Sequence, residues 1–152
     1  QVIEKMTQII NSVENSDLIK LPVNDPKIKT KRFITKSICY HAAIMANSIE
    51  AKVINTLTNS GYTAFQISAW RPNAHILAYT SNKNMLTQLS LLWGVTAFWY
   101  DKYESTDVTI EDINQIAKEN NYVIDGDYTI NLASMPLNEK GMVNTIRVSE
   151  IE

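Results

Sequence analysis

Thr58, Ser60 and Thr63 place three hydroxyls in one short loop, Thr58-Asn59-Ser60-Gly61-Tyr62-Thr63. The loop joins a β-branched run that stops at Leu57 to a helical pattern that starts at Tyr62. A strand-turn-helix junction leaves backbone N–H groups unpaired at the helix N-terminus, pointing at whatever fills the loop. Hydroxyls and a glycine at such a point suit a phosphate or another anion. The spacing matches neither G-x-x-x-x-G-K-[ST] nor G-x-G-x-x-G, so no nucleotide motif is present. Two readings follow from the residues alone. Either Thr58 or Ser60 caps the helix while Gly61 eases the turn, or the junction holds an anion.

Other reactive residue types are dispersed. Cys39 and His41 stand two apart on one predicted helix, on nearly opposite faces, and cannot share a metal. His75 opens a strand pattern, and neither C-x-x-C nor H-x-x-x-H spacing occurs, so no metal site is expected. Cys39 reads as a small buried hydrophobe rather than a nucleophile. The carboxylates Asp101, Glu104, Asp107, Glu111, Asp112, Asp125 and Asp127 form no acid–base pair in sequence. Asp125-Gly126-Asp127 reads as the turn before a strand, and Trp70, Trp93 and Trp99 as core or interface aromatics. No catalytic residues are assigned.

These residues sit in a chain of 152, enough for one domain with a real core. At 45% hydrophobic and 20% charged, the composition is that of an ordinary soluble globular protein. A net charge of −2 gives no pull toward nucleic acid or anionic membrane. The single cysteine excludes an internal disulfide and fits a reducing cytoplasm. The most apolar stretch, Leu89 to Tyr100, is too short to span a bilayer. The chain opens inside a helical pattern, without Met, as an excised piece would.

Val2, Met6, Ile9, Ile10 and Val13 recur at helical spacing, and the first helix should end near Asn15-Ser16. Residues 17–30, with Pro22 and Pro26, read as a linker. Thr35 is placed to cap a second helix whose stripe is Ile38, Ala42, Met45 and Ile49. Strands are predicted at Lys52–Leu57, His75–Thr80, Val95–Tyr100, Tyr128–Ala133 and Val143–Val148. Helices are predicted at Tyr62–Trp70, at Lys83–Trp93, and from a Thr109 cap to Asn120-Asn121. Alternating strands and helices imply a parallel sheet covered on both faces. Only Ser134 to Met142 separates the last two strands, too few residues for a parallel crossover. The expected fold is therefore an α/β, three-layer α/β/α sandwich over residues 31–152, with a five-stranded mixed sheet whose last strand is antiparallel.

The order of several short motifs carries more than any one of them. QVIEKMTQII is followed by Thr35-Lys36-Ser37-Ile38-Cys39-Tyr40-His41-Ala42-Ala43, then by Thr58-Asn59-Ser60-Gly61-Tyr62-Thr63-Ala64. Trp70-Arg71-Pro72, Ile76 to Thr80 and Leu91-Leu92-Trp93-Gly94-Val95 come next. Met135-Pro136-Leu137 and Asn144-Thr145-Ile146-Arg147-Val148 close the series. From first helix to last strand the chain resembles the C-terminal part of pyruvate kinase. The hydroxyl loop is similar to that family's effector phosphate loop, T-x-S-G-x-[ST]-A.

The resemblance implies that residues 1–16 are the last helix of a preceding barrel domain and that 31–152 are the regulatory α/β domain. It implies a full-length enzyme that transfers phosphoryl from phosphoenolpyruvate to ADP in glycolysis, using magnesium and potassium held outside this chain. The piece itself would carry no cofactor and be catalytically inactive. Its implied partners are the barrel domain of the same enzyme, a homo-oligomer (a tetramer at full length) and a sugar-phosphate effector. The effector residues would be Thr58, Asn59, Ser60, Gly61, Tyr62 and Thr63, with Gly141 in the loop before the last strand. The sequence departs from the family at Asn59 and Tyr62, where some fructose 1,6-bisphosphate-activated members carry basic residues, and at Asn138, where glycine is common. A loop without a cation offers a phosphate only N–H and hydroxyl donors. The residues also allow a free-standing α/β enzyme or small-molecule (phosphate ligand) binding module with its own site at the switch point of its sheet. A pure interaction module using the terminal hairpin as a sheet edge is also compatible with them.

Overall fold

The computed structural model describes residues 1–16, 32–102, 104–135 and 142–152. The predicted linker 17–30 and Gly141 lie outside the described residues.

β1 (Val53–Leu57), β2 (His75–Thr80), β3 (Val95–Trp99), β4 (Tyr128–Ala133) and β5 (Thr145–Glu150) form one sheet in the order β3-β2-β1-β4-β5. The first four strands run parallel. β5 runs antiparallel to β4, from Ala133 opposite Thr145 to Tyr128 opposite Glu150. The chain thus moves from β1 to one side, through β2 and β3, then returns to β1's other flank with β4. The C-terminal end of β1 is therefore a topological switch point, where the diverging connections leave a crevice.

The helices are α1 (Val2–Glu14), α2 (Phe33–Ser48), α3 (Tyr62–Ala69), α4 (Lys83–Leu89) and α5 (Thr106–Glu119). Period-two alternation along the strands sends side chains to two separate cores. Ile54, Ile76, Ile130 and Leu132 pack with Cys39, Ala42, Ala46 and Ile67 of α2 and α3. Val53, Leu77 and Tyr79 pack on the opposite face with Ile113 and Ala117 of α5. Ala64 of α3, Ala78 of β2 and Leu89 of α4 form a third, smaller cluster. Each fully buried Ile or Leu contributes about 1.5–3 kcal/mol relative to exposure, so both faces must be covered. The result is the expected α/β/α arrangement, with the last strand antiparallel.

Several local expectations are corrected. Thr35 does not cap α2: Arg32 is the N-cap residue, and Thr35 lies buried one turn in, donating to the Val143 carbonyl at 3.3 Å. Thr109 is likewise buried inside α5, whose cap is Ser105, accepting from the Val108 N–H at 3.3 Å. In both cases a hydroxyl tolerated in a helix interior resembles a cap in sequence. α4 ends at Leu89 rather than Trp93, because residues 90–94 turn through Gly94 at φ +68°. β5 starts at Thr145, two residues after the predicted Val143, where its ladder with Ala133 begins. Asn121 does adopt the predicted left-handed turn, at φ 61°. α1 presents Val2, Ile3, Met6, Ile9, Ile10 and Val13 to solvent, while its Glu14 Oε1 accepts from the Trp93 indole N–H at 3.1 Å.

Candidate functional site

At the end of β1 the Thr58 N–H donates to the Tyr79 carbonyl at 2.9 Å, the last rung joining β1 to β2. The backbone then turns away through Gly61, left-handed at φ 73°, directly into α3. Gly61 is the N-cap, and no side chain caps the helix. This corrects the reading in which Thr58 or Ser60 plays that part. From Asn59 to Ala64 the backbone N–H groups make no hydrogen bond among the described residues; the first helical one is Phe65 N–H to the Gly61 carbonyl at 2.9 Å. Asn82 Nδ2 donates to the Asn59 carbonyl at 3.4 Å and ties the loop tip to α4.

A cavity of about 230 Å³ opens at this junction. Its walls come from four parts of the chain: Arg32 and Thr35 at the start of α2, Leu57 to Ser60 with Tyr62 and Thr63, Ser134 after β4, and Met142 with Val143 before β5. Thr58 and Thr63 are only 7% and 6% exposed. Both line the cavity, and neither oxygen is among the buried side-chain atoms that lack a hydrogen-bond partner in the described residues, which are Asn55 Oδ1, Thr56 Oγ1 and Thr109 Oγ1. Gly61 does not line this cavity. It faces a neighbouring groove of about 360 Å³ with Phe65, Met85, Leu89 and Leu92. A Cβ on Gly61 would lie 3.2 Å from Leu89 Cδ2 and 3.3 Å from Met85 Sδ.

Arg32 is the one charged residue among the described residues lining the cavity. Its guanidinium carbon lies 4.2 Å from the centroid of the Tyr62 ring. Arg32, Ser60 and Tyr62 line both the cavity and the groove, so they form the wall between them. Neither Arg32 nor Ser134 belongs to a motif in the sequence. The only signal for them is topological, since a switch-point crevice draws on every loop at that end of the sheet.

The other reactive groups stand apart. Cys39 is fully buried against β1 and α3, and burial pushes its thiol up to about 12. His41 is exposed with Nδ1 2.7 Å from the Ser37 carbonyl. His75 is exposed, its ring 5.5 Å from that of Tyr122. No group of three or more His, Cys, Asp or Glu among the described residues is placed to hold a metal ion. No helix of the described residues is long and apolar enough to cross a membrane.

Residues 36–149 match the family described as "Pyruvate kinase, alpha/beta domain". The chain belongs to the pyruvate kinase family. A pyruvate kinase from Lactobacillus delbrueckii subsp. bulgaricus is 34% identical over 118 residues, which cover 78% of this chain and 20% of the relative. One from Clostridium acetobutylicum is 30% identical over 152 residues, covering all of this chain and 32% of the relative. A crystal structure of a pyruvate kinase from Cryptosporidium parvum superposes with a TM-score of 0.73 at 25% identity, covering 84% of this chain and 24% of that one. The chain therefore spans about a fifth to a third of the length of these curated pyruvate kinases, and corresponds to their α/β domain.

Proposed function

We propose that this chain is the C-terminal regulatory and assembly domain of a pyruvate kinase, and that it binds a phosphate-bearing effector at the end of β1. In the full-length enzyme phosphoryl passes from phosphoenolpyruvate to ADP in the cytoplasm, with magnesium and potassium. The observation that carries the effector reading is the cavity at the switch point, which Thr58 and Thr63 line and where the backbone N–H groups from Asn59 to Ala64 make no hydrogen bond among the described residues. The predicted contact residues Thr58, Asn59, Ser60, Tyr62 and Thr63 line it; Gly61 shapes the turn. Gly141 stays a proposed member from the loop before β5.

Two further features support placement within a larger assembly. The apolar stripe of α1 is exposed, as suits a helix that packs on a preceding barrel domain. Among the described residues β5 is an edge strand, and an open edge suits pairing with another subunit. The test is a pair of measurements on the purified chain. A coupled assay with phosphoenolpyruvate and ADP should stay at the blank. Amide NMR during titration with a sugar phosphate should move Asn59 to Ala64. Turnover above blank, or shifts confined to other regions, would refute the corresponding half of the reading.

A further inference from the structure

The last turn of α1 meets the α/β domain at one side chain. Glu14 Oε1 accepts from the Trp93 indole N–H at 3.1 Å. Among the described residues this is the one hydrogen bond from α1 to that domain. We propose that Trp93 is the anchor that fixes the preceding domain to this one, with Glu14 as its contact from α1 and Arg71 as the residue that holds the indole in place. The proposal rests on the reading that α1 ends a preceding domain, and it names the residues of that junction.

Trp93 is held at three points by residues from separate elements. Glu14 takes the edge N–H of the ring. The Arg71 guanidinium carbon lies 5.5 Å from the ring centroid, and a cation over an indole face is attracted by its quadrupole. The Trp93 carbonyl accepts from Ser68 Oγ of α3 at 2.7 Å. The next residue, Gly94, passes its carbonyl to the Ile76 N–H of β2 at 2.9 Å. The base of the indole is therefore tied to α3 and the sheet while its ring reaches α1.

Arg71 follows α3 with a left-handed backbone, φ 42°. A residue other than glycine keeps that conformation only where its surroundings over-determine it. Its guanidinium makes no ion pair among the described residues. Glu14 and Arg71 thus bring opposite charges to one ring without pairing with each other. An indole N–H can only donate and a carboxylate can only accept, so the bond is directional and charge-assisted. An exposed contact between two free side chains would be worth little. Here Arg71 and Ser68 order the indole beforehand, which lowers the cost of engaging it. α1 needs such a fixing: none of its 13 residues is buried, and a helix that short is marginal in water by itself.

The test is NMR of the 152-residue chain, read at the three indole N–H signals and at the α1 amides. Trp93→Phe identifies the Trp93 signal by its loss. In the parent, α1 should share the relaxation behaviour of α5. Glu14→Ala should speed exchange of the Trp93 indole proton about tenfold, the lower end for a hydrogen bond to a charged group. It should also give α1 faster internal motion than α5, with the Trp70 and Trp99 signals in place. Glu14→Gln, which keeps an acceptor oxygen, should recover part of the loss. Trp93→Phe should free α1 as Glu14→Ala does, with unchanged sheet amides showing that the fold persists. Arg71→Gln should speed indole exchange by about two- to fivefold, the worth of an exposed cation–π contact. Unchanged exchange and α1 relaxation in Glu14→Ala, or an α1 already free in the parent, would overturn the anchor while leaving the assignment of α1 to a preceding domain intact. Unchanged exchange in Arg71→Gln would overturn the role of Arg71. Nuclear Overhauser contacts from the Val2-to-Val13 stripe onto the α/β domain would overturn the preceding-domain reading itself, whatever Glu14→Ala does.

Discussion

Asn55 and Asn131 face each other across the parallel β1–β4 pair, and Asn55 Nδ2 donates to Asn131 Oδ1 at 2.8 Å. The same amide donates to Asn114 Oδ1 of α5 at 2.8 Å. Asn131 Nδ2 passes the chain of bonds to Thr129 Oγ1 at 3.3 Å and Ser149 Oγ at 3.1 Å. Parallel and antiparallel halves of the sheet are therefore joined to α5 by one buried polar network, at the point where β4 meets both kinds of neighbour. A network of this kind fixes register, because a slip of one residue would bury its members without partners.

Asn131→Ala removes the acceptor for Asn55 and strands the buried groups that bonded to it. Equilibrium urea unfolding should show a loss of roughly 1–3 kcal/mol. A loss below about 0.5 kcal/mol, the ordinary surface range, would show that the network has no structural weight.

Gly61→Ala and Gly126→Ala separate backbone strain from crowding. Both glycines hold positive φ, 73° and 87°, but only Gly61 has neighbours within 4 Å of a Cβ. Each substitution should cost about 1–2 kcal/mol for the left-handed backbone. Gly61→Ala should cost more, through Leu89 and Met85, and should also weaken phosphate binding. Equal thermal denaturation shifts for the two would remove the crowding argument.

Cys39 should resist thiol-exchange reagents in the folded chain and react on unfolding. Burial raises its folded pKa to about 12 from an ordinary 9.0. The native state thus keeps its proton where the unfolded state loses it, so this contribution is complete below about pH 9 and declines as pH rises toward about 12. Burial raises the Tyr79 phenol in the same sense, with its hydroxyl donating to the Ile113 carbonyl at 2.9 Å. Urea midpoints measured from pH 8 upward should fall (an alkaline window set by these groups), with a shallower slope in Cys39→Ala. An unchanged slope would exclude Cys39 as a contributor.

Phosphate binding should weaken as salt is raised, since Arg32 is exposed and its attraction is screened beyond a Debye length of about 10 Å at 0.1 M. Titrations at two ionic strengths check this. Salt-independent affinity would point to the buried hydroxyls and N–H groups as the whole binding surface.

Much of the fold is legible in the residues. The alternation of periodicities marks the strands and helices, and the short Ser134–Met142 connection announces the antiparallel turn of β5. Helix starts are less legible: Thr35 and Thr109 look like caps but are buried hydroxyls one turn inside. Tertiary packing, which decides where those helices begin, has no local signature. The same holds for the cavity. Its loop is continuous in sequence and was recognisable, whereas Arg32, Ser134 and Val143 reach it only because the sheet order brings their segments together.

The Thr35 hydroxyl and the Val143 carbonyl are 108 residues apart in sequence and meet at the cavity's edge. No short stretch of this chain can reproduce that pocket in isolation, so whatever fills it recognises only the completed fold. Occupancy then acts as a staple between the beginning and end of the domain. A ligand present at a hundred times its Kd would deepen the native basin by about 2.7 kcal/mol, and resistance to proteolysis would rise with it. A metabolite concentration would thereby be written into how long the domain survives.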